Sequence, residues 1–332
     1  MAPQSHRLCV LCFTYNQAPY IKDAMDGFCM QKTDFPYVCC IVDDASTDGE
    51  QELILEYITE NFLTEDESYV SRDTALANIV YAKHRTNSNC YFAIALLKKN
   101  LFKDPSGYDR KLNLMSEWRD NCEYEAMCEG DDYWIDEKKL QMQVSFLDTH
   151  PDYSVCSHRI KKYNQYDKVY YIDRFDSMFA GKEGIDYNNR TKVWISETSS
   201  IMYRLAAHEE YNKYPFEKRD NIHLYFLLKY GKGYCFSNVM SVYRQHQGGI
   251  FSMQDVDTRL VNGTYLAVKN LYNYEKTSDA RHLYYASYAY TFVKTKGRIL
   301  LKEEFDFRKF ISLFRRILLL LFRKHPLYIP VK

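Results

Sequence analysis

The sequence predicts an α/β chain with a Rossmann-like, mostly parallel central sheet flanked by helices. Three observations carry this. Short, near-continuous apolar runs end in polar turn residues, as buried parallel strands do. Segments of helical spacing alternate with those runs through residue 160. The polar residues able to do chemistry follow the runs directly, where open α/β sheets bind ligands.

"RLCVLCFTYN" reads as the first buried strand, and "APYIKDAMDGFCMQ" follows with Ile21, Ala24, Met25 and Phe28 on one helical face. "YVCCIVDDASTDG" is a second strand ending in acids. Ser46, Thr47 and Asp48 supply cap chemistry for the helix "EQELILEYITENF". "ANIVYAKH" is a third strand, followed by an expected helix around 91–101. "YEAMCEGDDYW" is a fourth strand, and "DEKKLQMQVSFLDTH" a helix capped by Asp136. "YSVCSHR" is again a strand. The tyrosine-rich stretch 161–190 reads as a loop or edge hairpin and "VWISETSSIMYR" as a strand. "RDNIHLYFLLKYGK" reads as a helix, and "GYCFSNVMSVYRQHQGG" as a strand running into a glycine turn. The boundary is expected near residue 255, with a helical region over 256–332.

Composition limits the partners. Among 332 residues, Lys+Arg and Asp+Glu are both 44, so no basic field draws the chain to nucleic acid. Hydrophobic residues at 46% are enough for a real core. The 31 tyrosines and 19 phenylalanines suit sugar and nucleobase faces, although core packing uses aromatics as well. The start "MAPQSHRLCVLCFTYN" lacks the pattern of a secretory signal, so the 10 cysteines read as reduced thiols of a cytoplasmic protein. Cys9 and Cys12 form a CxxC, but strand geometry sends them to opposite faces, against a metal or redox pair. The longest purely apolar run near the C-terminus, Ile317–Phe322, is far short of the roughly 20 residues a spanning helix needs.

The densest cluster is "CEGDDYW", residues 128–134, with three carboxylates repelling one another beside a glycine. A divalent cation would make such crowding favourable. Asp131 and Asp132 offer hard oxygens to Mn²⁺ or Mg²⁺, which could hold a nucleotide diphosphate where no GxGxxG or Walker sequence exists. Gly130 would let the diphosphate approach the backbone. Asp43-Asp44 reads either as turn-and-cap chemistry or as a nucleobase and ribose contact.

"TYNQAPYIKDAM", "VDDASTDG", "EGDDYW…KLQMQVSFLDTHPDY", "TSSIMYR" and "MSVYRQHQGG" occur in that order. Together they resemble a family 2 glycosyltransferase of the GT-A fold, of the bacterial polysaccharide and glycolipid type, over about residues 6–255. The resemblance implies inverting transfer from a metal-bound nucleoside-diphosphate sugar, with a UDP-sugar as the expected donor. It implies nucleotide contacts from Phe13, Tyr15, Asn16, Asp44 and Asp131. It makes Asp132 the main metal ligand, with Asp131 assisting. It also implies that Asp220 is the general base, where the plain alternative is a helix N-cap. Family members often have Gly-Asp there; this chain has Arg219-Asp220. His246, before Gly248-Gly249, is either a packed side chain or a ligand of the metal or diphosphate. Arg244 pairs with a phosphate or with a structural acid. The family commonly has a Gly and a basic residue after the third strand; here the stretch is "RTNSNCYFAIA", with Asn87 and Asn89, and Arg85 is expected to supply the charge.

Residues 305–324 alternate bulky apolar and basic faces at helical spacing. Such a helix lies on a membrane surface or covers protein. The expectation is therefore a cytoplasmic transferase with peripheral contact at the inner face of the membrane, acting on a saccharide or lipid-linked acceptor. Two other readings compete: a sugar nucleotidyltransferase, which should carry a Gly-rich basic loop after the first strand, and a non-catalytic carbohydrate-binding scaffold.

Overall fold

The computed structural model describes residues 5–172, 176–187, 197–212 and 220–249, with Thr264, Leu271, Ser278 and Ala286 beyond them. The chain divides into two compact units, Met1–Gly248 and Gly249–Lys332. The expected helical region over 256–332 and the basic helix at 305–324 fall outside the described residues, those four positions excepted. Among the described residues, no helix is long and apolar enough to cross a membrane.

The first unit opens with β1 (Leu8–Thr14), α1 (Ile21–Cys29), β2 (Tyr37–Asp43) and α2 (Glu50–Asn61). Short β3 (Phe62–Leu63) and β4 (Val70–Asp73) precede β5 (Ala77–His84), β6 (Cys90–Leu97) and α3 (Gly107–Arg119). Next come β7 (Tyr124–Met127), β8 (Tyr133–Trp134), α4 (Lys139–Thr149), β9 (Tyr153–Asn164) and β10 (Val169–Ile172). The unit closes with β11 (Gly184–Asp186), β12 (Met202–Arg204), α5 (Glu209–Asn212), α6 (Asp220–Tyr230) and β13 (Lys232–Gln245).

The strands form one sheet in the order β11-β13-β9-β12-β7-β1-β2-β6-β5-β3, with β10 on β9, β4 on β5 and β8 on β13. Its centre, β7-β1-β2-β6, is parallel, as the apolar runs predict. The flanks are mostly antiparallel, so the whole sheet is mixed rather than mostly parallel. Alternate residues of β1 serve two cores: Leu8, Val10 and Cys12 pack with α1, α2 and α4, while Cys9 and Leu11 pack with α3. Cys9 and Cys12 therefore do lie on opposite faces, both buried and unbridged. In α1, Ile21, Ala24, Met25 and Phe28 form the buried stripe. A Cβ on Gly27 would lie 2.9 Å from the Trp134 backbone nitrogen, so only glycine lets α1 seat against β8.

Three expectations are corrected. The helix expected around 91–101 is the strand β6. Cys90–Leu97 is an unbroken apolar run buried on both faces, and periodicity cannot tell such a strand from a buried helix. The helix of this region is α3, further along. The helix after "EGDDYW" starts at Lys139, because Asp136 Oδ1 accepts the Lys138 N–H at 2.8 Å in a turn that precedes it. Within the described part of "VWISETSSIMYR", from Glu197 on, Thr198–Ser200 form a 3₁₀ turn and the strand is Met202–Arg204.

Candidate active site

Parallel pairing brings three polar segments to one edge of the sheet. Thr14 pairs with Asp43, and Leu11 with Met127, so the ends of β1, β2 and β7 are neighbours. The chain after β7 stays against β1: Cys128 N–H donates to Leu11 O at 3.1 Å, and Gly130 N–H to Phe13 O at 3.2 Å. A Cβ on Gly130 would lie 2.3 Å from Thr14 Oγ1 and 2.6 Å from Gln17 Oε1. Gly130 thus faces protein, where the sequence reading had placed a diphosphate.

The floor of this edge is a polar web. Glu50 is fully buried, and its Oε2 accepts the Gln17 N–H at 2.8 Å and the Ser46 hydroxyl at 2.9 Å. Thr14 donates to Glu50 Oε1. Burial raises the Glu50 pKa, and these hydrogen bonds oppose the rise. Asn16 adopts φ 53°, and its Oδ1 accepts the Thr47 N–H at 2.8 Å, clipping one loop to the other. Tyr15 is exposed beside it.

The two acids of "VDDAST" differ. Asp44 is buried and engaged: Leu101 N–H donates to Oδ1 at 2.7 Å, and Lys111 Nζ lies 3.1 Å from Oδ2. The same Nζ sits 5.0 Å from the centroid of the Phe13 ring, which packs edge-on against Tyr108. Asp43 accepts from Ser46 N–H and Gln51 Nε2 through Oδ1, but its buried Oδ2 has no partner. Among the described residues this buried oxygen is left unsatisfied, a state that a donor from water or a ligand would relieve.

Arg85 is not at this edge. It follows β5, which runs antiparallel to β6, and β6 runs parallel to β2. Arg85 therefore lies toward the start of β2, a strand length of roughly 20 Å from Asp43. Its backbone N–H and guanidinium donate instead to Asn61 O and Thr59 O. Lys111, on α3, does reach the edge, beside Asp44.

Beyond β7, Asp131 Oδ2 lies 3.0 Å from His246 Nε2. Arg244 braces the pair. Its Nε donates to Asp131 O at 3.0 Å, its backbone N–H to Asp132 Oδ1 at 2.9 Å, and NH2 pairs with Asp23 at 2.6 Å. Of the two roles open to Arg244, the structural acid is the one seen. The His246 and Tyr20 rings are 4.4 Å apart, and the Arg244 guanidinium stacks 4.8 Å from Tyr20. Burial, with Asp131 and Glu129 close by, pushes the Asp132 carboxyl well above the usual carboxylate range.

Among the described residues, no group of three or more His, Cys, Asp or Glu side chains is arranged as a metal cage. The Asp131–His246 pair still fits Mn²⁺ or Mg²⁺ of the kind held by one or two protein ligands plus phosphates and water. The two are hydrogen-bonded to each other at 3.0 Å, and an ion taking both would replace that bond. Asp132, expected as the main ligand, is buried with one oxygen on the Arg244 N–H.

Behind the cluster, Lys139 is fully buried, with Nζ 4.0 Å from the Trp134 ring centroid and donating to Gln143 Oε1 at 2.7 Å. Burial pushes its pKa down to about 7. Asp220 is the first residue of α6; its side chain, and Arg219, lie outside the described residues. The last turn of α6 is tied to β9, where Ser154 Oγ donates to Leu227 O at 2.6 Å.

The family model for glycosyl transferase family 2 matches residues 9–72, the segment from β1 to β4. An uncharacterised protein of Mycobacterium bovis and one of Mycobacterium tuberculosis are each 30% identical over 256 residues, covering 75% of this chain and 62% of theirs. The chain thus spans under two thirds of the length of these curated relatives. Two solved structures share the fold. S. aureus TarS 1–349 in complex with UDP-GlcNAc matches with a TM-score of 0.59 at 18% identity, over 95% of this chain and 81% of that one. The mannosyltransferase PcManGT from Pyrobaculum calidifontis, in complex with GDP-Man and Mn²⁺, matches with 0.53 at 14% identity, over 96% and 82%.

Proposed function

We propose, from the premise that the chain is a family 2 glycosyltransferase with the GT-A fold, that it moves a sugar from a nucleoside-diphosphate donor, a UDP-sugar, to a hydroxyl of a saccharide or lipid-linked acceptor, with inversion. The observation that carries this is the meeting of Asp131 and His246 at 3.0 Å on the same sheet edge as Asp43. The structural neighbours crystallised with UDP-GlcNAc and with GDP-Man support a nucleotide sugar as donor.

Each group has a task in this reading. The open Asp43 Oδ2 accepts a hydrogen bond from the nucleoside, and Lys111 with Phe13 borders its base. Asp131 and His246 hold the divalent ion, which when bound neutralises charge on the diphosphate leaving group. Asp220, at the start of α6, takes the acceptor proton. The acceptor oxygen bonds to C1 while the C1–O bond to the diphosphate breaks, and the electron pair leaves with the diphosphate. A carboxylate at a helix N-terminus is held in place by the peptide dipoles.

The test is calorimetric titration of UDP, GDP, CMP and dTDP into the full chain, each with Mn²⁺ and with chelator. Metal-dependent binding of one nucleotide is expected. Absence of binding by all four would remove the donor site and leave the scaffold reading.

A further inference from the structure

The β9–β10 hairpin exposes aromatic and aliphatic side chains that the donor site does not use, with Tyr170 and Ile172 on one face of β10 and Val169 and Tyr171 on the other. Tyr166, Val169, Tyr170 and Ile172 are each more than 50% exposed, and Tyr171 is 41% exposed. None carries a charge. The hairpin is held in shape: Tyr170 pairs with Tyr163 across the ladder, and Asn164 Oδ1 accepts the Tyr166 N–H at 2.9 Å in the turn.

On the Tyr170 face, a chain of side-chain contacts leads from the hairpin to the candidate donor site. Tyr170 packs 4.5 Å from the Tyr163 ring and shares a hydrogen bond of 3.0 Å with the Tyr133 hydroxyl. Tyr163 and Tyr133 both flank the Arg244 guanidinium, which stacks on Tyr20, and Tyr20 packs on His246. On the opposite face of the sheet, Tyr171 donates to Gln245 Oε1 at 2.5 Å and ties the hairpin to β13. A ligand resting on Tyr170 would thus lie along Tyr163 and Tyr133, whose rings border the Arg244 that braces the Asp131–His246 pair.

We infer that this hairpin is the platform on which the saccharide part of the acceptor rests, an inference that depends on the transferase reading. Pyranose rings offer apolar C–H faces ringed by hydroxyls. Tyrosine matches both, with a flat apolar ring and a phenol that donates and accepts. A platform whose rings are already fixed loses little conformational entropy on binding. β10 pairs only with β9 among the described strands, so a second copy of the chain adding a strand there is the competing occupant. That occupant would use backbone groups at the edge and gives no role to the tyrosine chain leading to His246.

The experiment uses the full chain and two variants, Tyr166→Ala/Tyr170→Ala and Tyr170→Phe. Chitotetraose, mannotetraose and maltotetraose are probed by saturation-transfer NMR, UDP with Mn²⁺ by calorimetry, and mass by light scattering. The wild-type chain should bind at least one oligosaccharide. The double alanine variant should lose about tenfold or more of that affinity, with UDP affinity within about twofold, while Tyr170→Phe keeps most of both. Three results would overturn the platform: no oligosaccharide bound by wild type, equal binding by the alanine variant, or a wild-type dimer that the alanine variant dissolves with sugar binding unchanged. Oligosaccharide binding lost in the variant, in a chain that never binds UDP, would support the platform as a saccharide surface and overturn the donor site instead.

Discussion

Asp131 and His246 stand 3.0 Å apart although 115 positions separate them in the chain. Asp131 arrives at the end of the parallel core and His246 just after β13. Arg244, two residues before His246, holds both the Asp131 carbonyl and Asp132 Oδ1, so the two segments are fixed to each other before any ligand enters.

If this pair receives the ion, Asp131→Asn and His246→Ala should each weaken Mn²⁺-dependent UDP binding by about tenfold or more. Affinity measured in chelator should change by less than about twofold. Calorimetry with and without Mn²⁺ separates the two. Unchanged metal dependence in both variants would put the ion elsewhere.

Lys111 and Arg85 give an opposed pair. Lys111→Met leaves the buried Asp44 carboxylate without its cation and removes the charge beside Phe13, so UDP affinity should fall by about tenfold, or about 1.4 kcal/mol. Arg85→Ala, at the far edge of the sheet, should leave affinity within about twofold. The reverse order in the same titration would place the nucleotide at the other end of the strands.

Asp220→Asn should keep donor affinity and lower transfer by about 10²–10⁴. The check is initial-rate measurement at saturating donor alongside UDP binding. Normal turnover would remove Asp220 from the proton path and return it to a helix cap.

Lys139 predicts a pH dependence of stability. In the folded chain its pKa is down at about 7, while an unfolded lysine titrates near about 10.4. Between those values the unfolded chain holds the extra proton, so this group's contribution to stability rises with pH and is flat below about pH 7. Lys139→Met should remove that slope. The gap in unfolding free energy between wild type and variant, from urea titration, should shift in favour of wild type by on the order of 2 kcal/mol between pH 7 and pH 9. Parallel curves for the two proteins would show that Lys139 does not titrate in that range.

The residues of the parallel core were legible because burial on both faces leaves an unmistakable apolar run, as in "LCVLCF" and "YVCCIV". Their common direction put Thr14, Asp43 and the acids after Met127 at one edge. Strand polarity beyond that core was not legible. β5 reads like any other buried strand, yet it runs the other way, and this alone moved Arg85 off the site. Lys111 could not be found from its neighbours, since its partner Asp44 lies 67 positions away and α3 lacks a clean apolar stripe. Gly130 was noticed, but which atoms crowd it depends on Thr14 and Gln17 from another segment.

The place of β13 at the end of the described fold has a consequence for biosynthesis. β9 waits for β13 across an intervening stretch that includes β10, β11, β12, α5 and α6 before their parallel pairing can form. Such distant pairing is slow, because a long loop must close before contacts reward it. On the ribosome, the parallel core emerges with Asp131 long before His246 has been made. A nascent or truncated chain ending at α6 therefore has half of the pair and none of the Arg244 brace. In the proposed transferase, β13 is therefore the strand that completes the pair, and a copy stopping short of it would lack the ion site.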